Sequence, residues 1–189
     1  IPLMSTLKHP LMGGGMSIAN FRKCVRVFEQ TNLRGPRPNP GLLGIDKLFS
    51  DEKKPEGNII EWWQSLRKII EPFDKLMQEE ANFGKLLVAH VEMAEKLASI
   101  SDEKGDKRLW KGDDGEAAAS LIEDLLMAAP YMSQFSSDQY VALFEQFMNS
   151  VTVRSKFGQH PRLNIWGPLE ARLQHSDLTI LSGLNEGVW

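Results

Sequence analysis

Between Ile59 and about Glu80, the apolar residues Ile59, Trp62, Trp63, Leu66, Ile69, Ile70, Phe73, Leu76 and Met77 recur at intervals of three and four. That period puts them on one wide face of a helix, and a stripe of such width must be buried against other elements. Pro72 interrupts the stripe. It lacks a backbone donor and its ring crowds the preceding turn, so it is expected to kink the helix or to start a second one.

The partners of this helix read from the same period. Ser17 can cap a helix whose inner face is Ile18, Phe21, Val25 and Phe28 and whose outer face carries Arg22, Lys23 and Arg26. Further inner faces are Leu86, Leu87, His90, Val91, Ala94 and Leu97, then Leu121, Ile122, Leu125 and Leu126, then Tyr140, Val141, Phe144, Phe147 and Met148. The third of these helices is expected to start near Glu116, capped by Asp113 or Asp114, and to end at Pro130, while Ser136 or Ser137 opens the last. Ser5 to Met12 adds a short helix that runs into Pro10 and the flexible turn Gly13-Gly14-Gly15. The prolines of Leu33-Arg34-Gly35-Pro36-Arg37-Pro38-Asn39-Pro40-Gly41 forbid helix and favour an extended linker. Leu42 to Phe49 is a short apolar stretch, and Ser101 to Lys107 is charged and loop-like.

Near Val151 the pattern changes. Two short β-rich runs follow, Leu163 to Trp166 and Leu178 to Leu181, with turn chemistry around them. The expected class is therefore mainly α: about six helical segments and no strand in residues 1–150, then the opening edge of an α/β domain in residues 151–189. The second β-rich run leads into Gly183-Leu184-Asn185-Glu186-Gly187, which is either a plain turn or, since α/β sheets hold ligands at the ends of parallel strands, part of a binding loop. The opening Ile1-Pro2-Leu3 carries no initiator methionine or signal-like stretch, and the loop after Gly183 is expected to continue past Trp189, so both ends read as boundaries of a piece of a longer chain.

Composition narrows the function classes. With 42% apolar and 25% charged residues, a chain of 189 can bury a core. A net charge of −3 gives no global attraction to nucleic acid or to an anionic membrane, so a DNA contact needs a local patch. The lone Cys24 excludes an internal disulfide and a four-thiolate metal site, and it fits a reducing, cytoplasmic setting. No apolar run approaches the ~20 residues that span a bilayer.

Catalytic signatures are missing from the sequence: no phosphate-cradling Gly-rich motif ending in Lys, no H-E-x-x-H, no G-x-S-x-G. His9, His90, His160 and His175 are dispersed. His90 falls within an apolar stripe and reads as a core or boundary residue, and His160 before Pro161 reads as a turn organiser. Glu170 and Arg172 would share a face of a strand, either as an ion pair or with the arginine on a phosphate. Arg22, Lys23, Arg26, Arg34 and Arg37 could track a phosphate backbone, or could simply be a solvated face. Trp62, Trp63, Trp110, Trp166 and Trp189 could stack on bases, although the first two lie in the apolar stripe.

Several blocks in one order carry a resemblance: Leu7 to Leu11 (LKHPL), Leu33 to Pro38 (LRGPRP), Leu109 to Ala119 (LWKGDDGEAAA), Val153-Arg154 ahead of His160-Pro161-Arg162, Gly167 to Arg172 (GPLEAR) and Leu181 to Trp189 (LSGLNEGVW). Together they resemble the AddB family, the second subunit of the AddAB helicase–nuclease of alphaproteobacterial type. The resemblance implies a superfamily 1 helicase-like scaffold, with residues 1–150 as its helical 2B-like insertion and residues 151–189 as the start of its RecA-like 2A domain. In related active helicases a Lys-Gly-Leu-Glu stretch precedes a strand and a Gly-x-x-Glu-Gly loop. Here Gly167 and Glu170, then Asn185, Glu186 and Gly187, stand in comparable places, while Trp166 stands at the lysine position. That departure implies a degenerate helicase half that handles and scans DNA.

The resemblance further implies double-strand break resection for recombinational repair, in the bacterial cytoplasm, beside an AddA-like helicase–nuclease subunit. ATP and Mg would act in the complex, and an iron–sulfur cluster in the nuclease domain, with neither held by these residues. The expected role is DNA-path and subunit contact without catalysis, with Arg34, Arg37, Arg162 and Arg172 as candidate DNA contacts. The alternative is a scaffold that docks the partner through Trp62, Trp63 and Trp110 without touching DNA.

Overall fold

The structure is a computed structural model that describes residues 2–49, 59–153, 164–167, 169–172 and 174–182. The described residues are mainly helical. In chain order they form α1 (Pro2–Leu7), α2 (Ile18–Thr31), α3 (Leu42–Asp46), α4 (Ile59–Leu76), β1 (Ala81–Asn82), α5 (Phe83–Ala98), α6 (Gly105–Leu109), α7 (Gly112–Ala128), β2 (Gln134–Phe135) and α8 (Ser137–Ser150). Packing divides the chain into two compact units, Ile1–Arg154 and Ser155–Trp189.

The first unit is built on α4 and α5. The N-terminal half of α4 buries Trp62, Trp63 and Leu66 with Leu97 from the end of α5, joined by Phe21, Val25 and Phe28 of α2, Ile45 of α3 and Met4 and Leu7 of α1. Toward the other end of α4, Phe73 and Leu76 pack on a second cluster of Phe83, Leu86 and Leu87 from α5, Ile122 and Leu125 from α7 and Tyr140 from α8. The start of one helix shares a core with the end of the other, so the two run antiparallel and tie both clusters together. β1 and β2 pair antiparallel, Ala81 with Phe135 and Asn82 with Gln134, which pins the α4–α5 connection to the entry of α8.

The ends of these helices follow local chemistry. The Ser17 side chain accepts from the Asn20 amide at 3.4 Å, Asn82 Oδ1 accepts from the Gly84 amide at 2.9 Å, and Ser136 forms a reciprocal capping box with Gln139. The turn at Gly13–Gly15 is a clasp rather than a loose hinge. The amides of Gly13 and Gly14 both donate to the Leu97 carbonyl at 2.9 Å, and Gly15 donates to Ser99 at 2.8 Å. The turn thus satisfies carbonyls that the C-terminus of α5 cannot pair within itself. A side chain at Gly13 would meet the Ser99 carbonyl oxygen. Arg108 reinforces the place by donating from Nη1 to the Leu11 carbonyl at 3.0 Å and to the Ala98 carbonyl.

Of the two outcomes expected at Pro72, the second helix is not seen: α4 continues through the exposed Pro72 to Leu76, and the Lys68 carbonyl that loses its donor lies on a face that water can serve. Four expectations are corrected. α7 begins at Gly112 with Lys111 as its cap residue, and Asp113 and Asp114 stand in its first turn, where their charge meets the positive end of the helix. The Ser5–Met12 helix is instead Pro2–Leu7. α3 and α6 were not expected as helices, because five residues are too few to display a period. Residues 1–150 are also not strand-free, since β1 and β2 form a two-residue pairing.

The second unit departs from the sequence reading. Among its described residues there is no strand: 164–167 and 174–182 are irregular, and 169–172 form a turn. Ile165, Leu178 and Ile180 are 94%, 77% and 80% exposed. β-branched composition favours a strand only where a neighbouring strand supplies the ladder and a covered face, and the described residues supply neither. No described helix is long and apolar enough to cross a membrane.

Candidate nucleic-acid interface

α2 turns Phe21, Val25 and Phe28 into the first core. Its period then forces Arg22, Lys23 and Arg26 outward, and all three are exposed. After the cap residue Asn32, whose side chain donates to the Leu48 carbonyl at 3.3 Å, the chain enters the proline-rich loop. Leu33 and Pro38 are half-buried there and anchor the loop, while Arg34 and Arg37 face solvent. None of Arg22, Arg26, Arg34 and Arg37 forms an ion pair with a described carboxylate; the nearby Glu29 is taken by Lys8 at 2.8 Å. The result is a helix face and its following loop whose guanidinium groups are unpaired among the described residues and suit phosphate oxygens.

The other expected site residues fare differently. Arg172 is exposed, in the turn of the second unit. Glu170 is not beside it on a strand, and its Oε2 instead accepts from the Gly167 amide at 2.9 Å, while the Ala171 amide donates to the Gly167 carbonyl at 2.9 Å. Gly167 and Glu170 therefore shape one local turn. Arg162, Asn185, Glu186 and Gly187 lie outside the described residues, as do His160 and Trp189.

Trp62, Trp63 and Trp110 do not form a stacking platform, and the scaffold reading loses two of its anchors. Trp62 and Trp63 are 4% and 2% exposed, both locked in the first core. Trp63 Nε1 donates to Asp46 Oδ1 at 2.8 Å, and Arg67 Nε donates to the other oxygen of the same carboxylate at 2.9 Å. Trp110 is half-buried with its Nε1 on Glu95 Oε1 at 2.7 Å. That bond fixes the edge of the Trp110 indole, while part of the ring remains open to solvent.

His90 and Tyr140 are structural. The His90 ring is stacked on Phe73 at 4.9 Å and tilted against Phe144 at 4.9 Å, and its Nδ1 lies 3.0 Å from the Tyr140 hydroxyl, with the donor set by the tautomer. Burial lowers the His90 pKa and raises that of Tyr140, so both stay neutral. Burial also raises the Cys24 thiol, against a smaller opposing pull from Lys23, which leaves it a weak nucleophile. Among the described residues no cluster of His, Cys, Asp and Glu is placed to hold a metal ion.

The His90 pair has a measurable consequence. The unfolded chain binds a proton near pH 6.5, and the folded chain resists that proton to lower pH. The contribution is therefore intact above about pH 6.5 and is lost as pH falls from there toward the lowered folded pKa, at up to about 1.4 kcal/mol per pH unit. Urea titrations at steps between about pH 7 and pH 5 should show this slope in the parent chain, and His90→Gln should remove it. An identical slope in both would place the pH dependence elsewhere.

Comparison with protein-family models, with curated proteins and with solved structures gave no match for this chain. Functional reading therefore rests on the residues themselves. One outward feature escaped the sequence reading: α5 carries Lys85, Val88 and Glu92 on its solvent side. Charges of opposite sign seven residues apart around an exposed valine were its only signal, and the stronger buried stripe of the same helix masks it.

Proposed function

We propose that this chain is a DNA-handling part of an AddB-type subunit, working beside an AddA-like helicase–nuclease in the bacterial cytoplasm to resect double-strand breaks for recombination. In this reading the chain guides the polynucleotide, and the chemistry, with its ATP, Mg and iron–sulfur cluster, belongs to other parts of the complex. The residues compared with a helicase motif, Gly167, Glu170, Asn185, Glu186 and Gly187, would border the DNA path without turning over nucleotide.

The observation that carries the proposal is the set of outward guanidinium groups on α2 and its following loop, free of ion pairs with described carboxylates although the chain is acidic overall. A cation left unpaired in an acidic chain is available to an external anion. The ordered motif blocks that resemble the AddB family support a DNA phosphate as that anion. The scaffold alternative is weaker because its proposed anchors Trp62 and Trp63 are enclosed.

The test is fluorescence anisotropy of a labelled duplex with a single-stranded tail, titrated with the chain at about 50 and 200 mM salt. Each phosphate contact contributes roughly 0.7–0.9 to the slope of log affinity against log salt. Arg34→Ala/Arg37→Ala should lower the slope by roughly 1.4–1.8 and weaken binding at low salt about tenfold. Equal slope and affinity in parent and variant would remove the DNA role from this loop.

A further inference from the structure

α5 is amphipathic in both directions. It buries Phe83, Leu86, Leu87 and Leu97 and turns Lys85, Val88 and Glu92 outward along one stripe. Val88 is 45% exposed at the centre of that stripe. Beside it, Ala89 and Leu126 and Pro130 from the end of α7 and the following turn line an open groove of about 580 Å³. Lys85 makes no ion pair among the described residues, and Glu92 reaches only Lys96, at 3.4 Å between two well-exposed side chains. Such an exposed pair contributes little and is easily exchanged.

We propose that this face pairs two copies of the chain, with each α5 lying antiparallel in the groove of the other. The charge pattern selects this occupant because it is its own complement. A two-fold axis passing between Val88 and Ala89 sets Lys85 of each copy against Glu92 of the other, because the two positions are equidistant from that midpoint. Seven residues span about 10.5 Å of helix, and helices pack 8–10 Å apart, so both long side chains reach across. Val88 of one copy meets the small Ala89 of the other, and Leu126 and Pro130 cover the flank. Contact between identical patches is what a closed two-fold pair requires. The apolar area is modest, so the pair is weak and forms at tens to hundreds of micromolar chain.

Sedimentation velocity of the full chain, from about 10 µM to about 1 mM, reads the equilibrium directly. The parent should move from monomer to dimer over that range. Lys85→Glu and Glu92→Lys should each weaken self-association at least tenfold, since each places like charges across the axis. Three further results follow from the antiparallel geometry. The exchange Lys85→Glu/Glu92→Lys should restore the dimer, an equimolar mixture of the two single variants should form a heterodimer, and Val88→Asp should abolish association in every background. Both charge variants are at exposed positions, and recovery in the mixture shows that each is folded. A parent chain that stays monomeric throughout overturns the proposal. So does a dimer whose affinity ignores both reversals, and so does a mixture that fails to associate. A monomer whose groove instead takes a foreign amphipathic helix overturns it as well.

Discussion

Phe28→Ala should lower the unfolding free energy by about 3–5 kcal/mol, the range for truncating a fully buried aromatic. Phe28 has no exposed surface and sits at the centre of the first core. Its ring is stacked on Trp63 at 6.1 Å and on Phe49 at 5.9 Å, and tilted against Trp62 at 5.6 Å. Removing it opens a void between α2 and α4 that the neighbouring Trp63 cannot fill, because Asp46 holds its indole. It also removes three ring contacts, each worth roughly 0.5–1.5 kcal/mol beyond burial. For a domain stable by about 5–15 kcal/mol, this is a large share of the whole. Urea denaturation followed by tryptophan fluorescence and by far-ultraviolet circular dichroism should show a lower midpoint with an unchanged slope. The two signals should still coincide, because α4 and α5 run through both cores and couple them. A loss under about 1 kcal/mol would mean that the ring stack is not the centre of the fold.

How far the sequence leads depends on the kind of force that decides each element. α2, α4, α5 and α8 are legible because burial decides them, and burial leaves a period of three and four in the apolar residues. Ser17 and Ser136 are legible as helix starts because a hydroxyl that can accept from a nearby backbone amide acts locally. The run Leu178 to Leu181 misleads because strand propensity describes how a side chain fits a sheet, and the described residues bring no sheet to it. Gly13–Gly15 misleads in the opposite sense: glycine permits looseness, yet here it permits close approach to the end of α5, a partner more than eighty residues away. The site divides in the same manner. That Arg22, Lys23 and Arg26 face outward follows from the helical period, and that Arg34 and Arg37 are exposed follows from the prolines around them. The fate of Trp63 and Trp110 does not follow, because an indole at helical spacing suits a core and an interface equally. Asp46 and Glu95, 17 and 15 residues distant, settle it by hydrogen bonding.

Gly105→Ala should cost about 3 kcal/mol or more, although it adds one methyl group to a residue that helix propensity alone would favour replacing. Gly105 opens α6 where that helix crosses the last turn of α5. A Cβ there would fall on the backbone carbonyl of Glu95 and stand 2.8 Å from the amide nitrogen of Ser99. Both are main-chain atoms, so no side chain can swing aside. The crowded carbonyl is also in use, accepting from the Ser99 amide and hydroxyl at 3.0 Å, and the Gly105 amide itself donates to Ser99 Oγ at 2.9 Å. Separating the helices therefore breaks a closed set of hydrogen bonds, each worth about 1 kcal/mol and more when a buried group is left unpaired. It also withdraws Arg108 from the Leu11 and Ala98 carbonyls, releasing the N-terminal segment from the end of α5. Gly35→Ala is the matched control. Nothing lies within 4 Å of a Cβ at that position, so the same methyl should change stability by under about 1 kcal/mol. Thermal and urea unfolding of the two variants beside the parent decides the matter. Equal, small effects at both positions would show that α5 and α6 are not in backbone contact at Gly105.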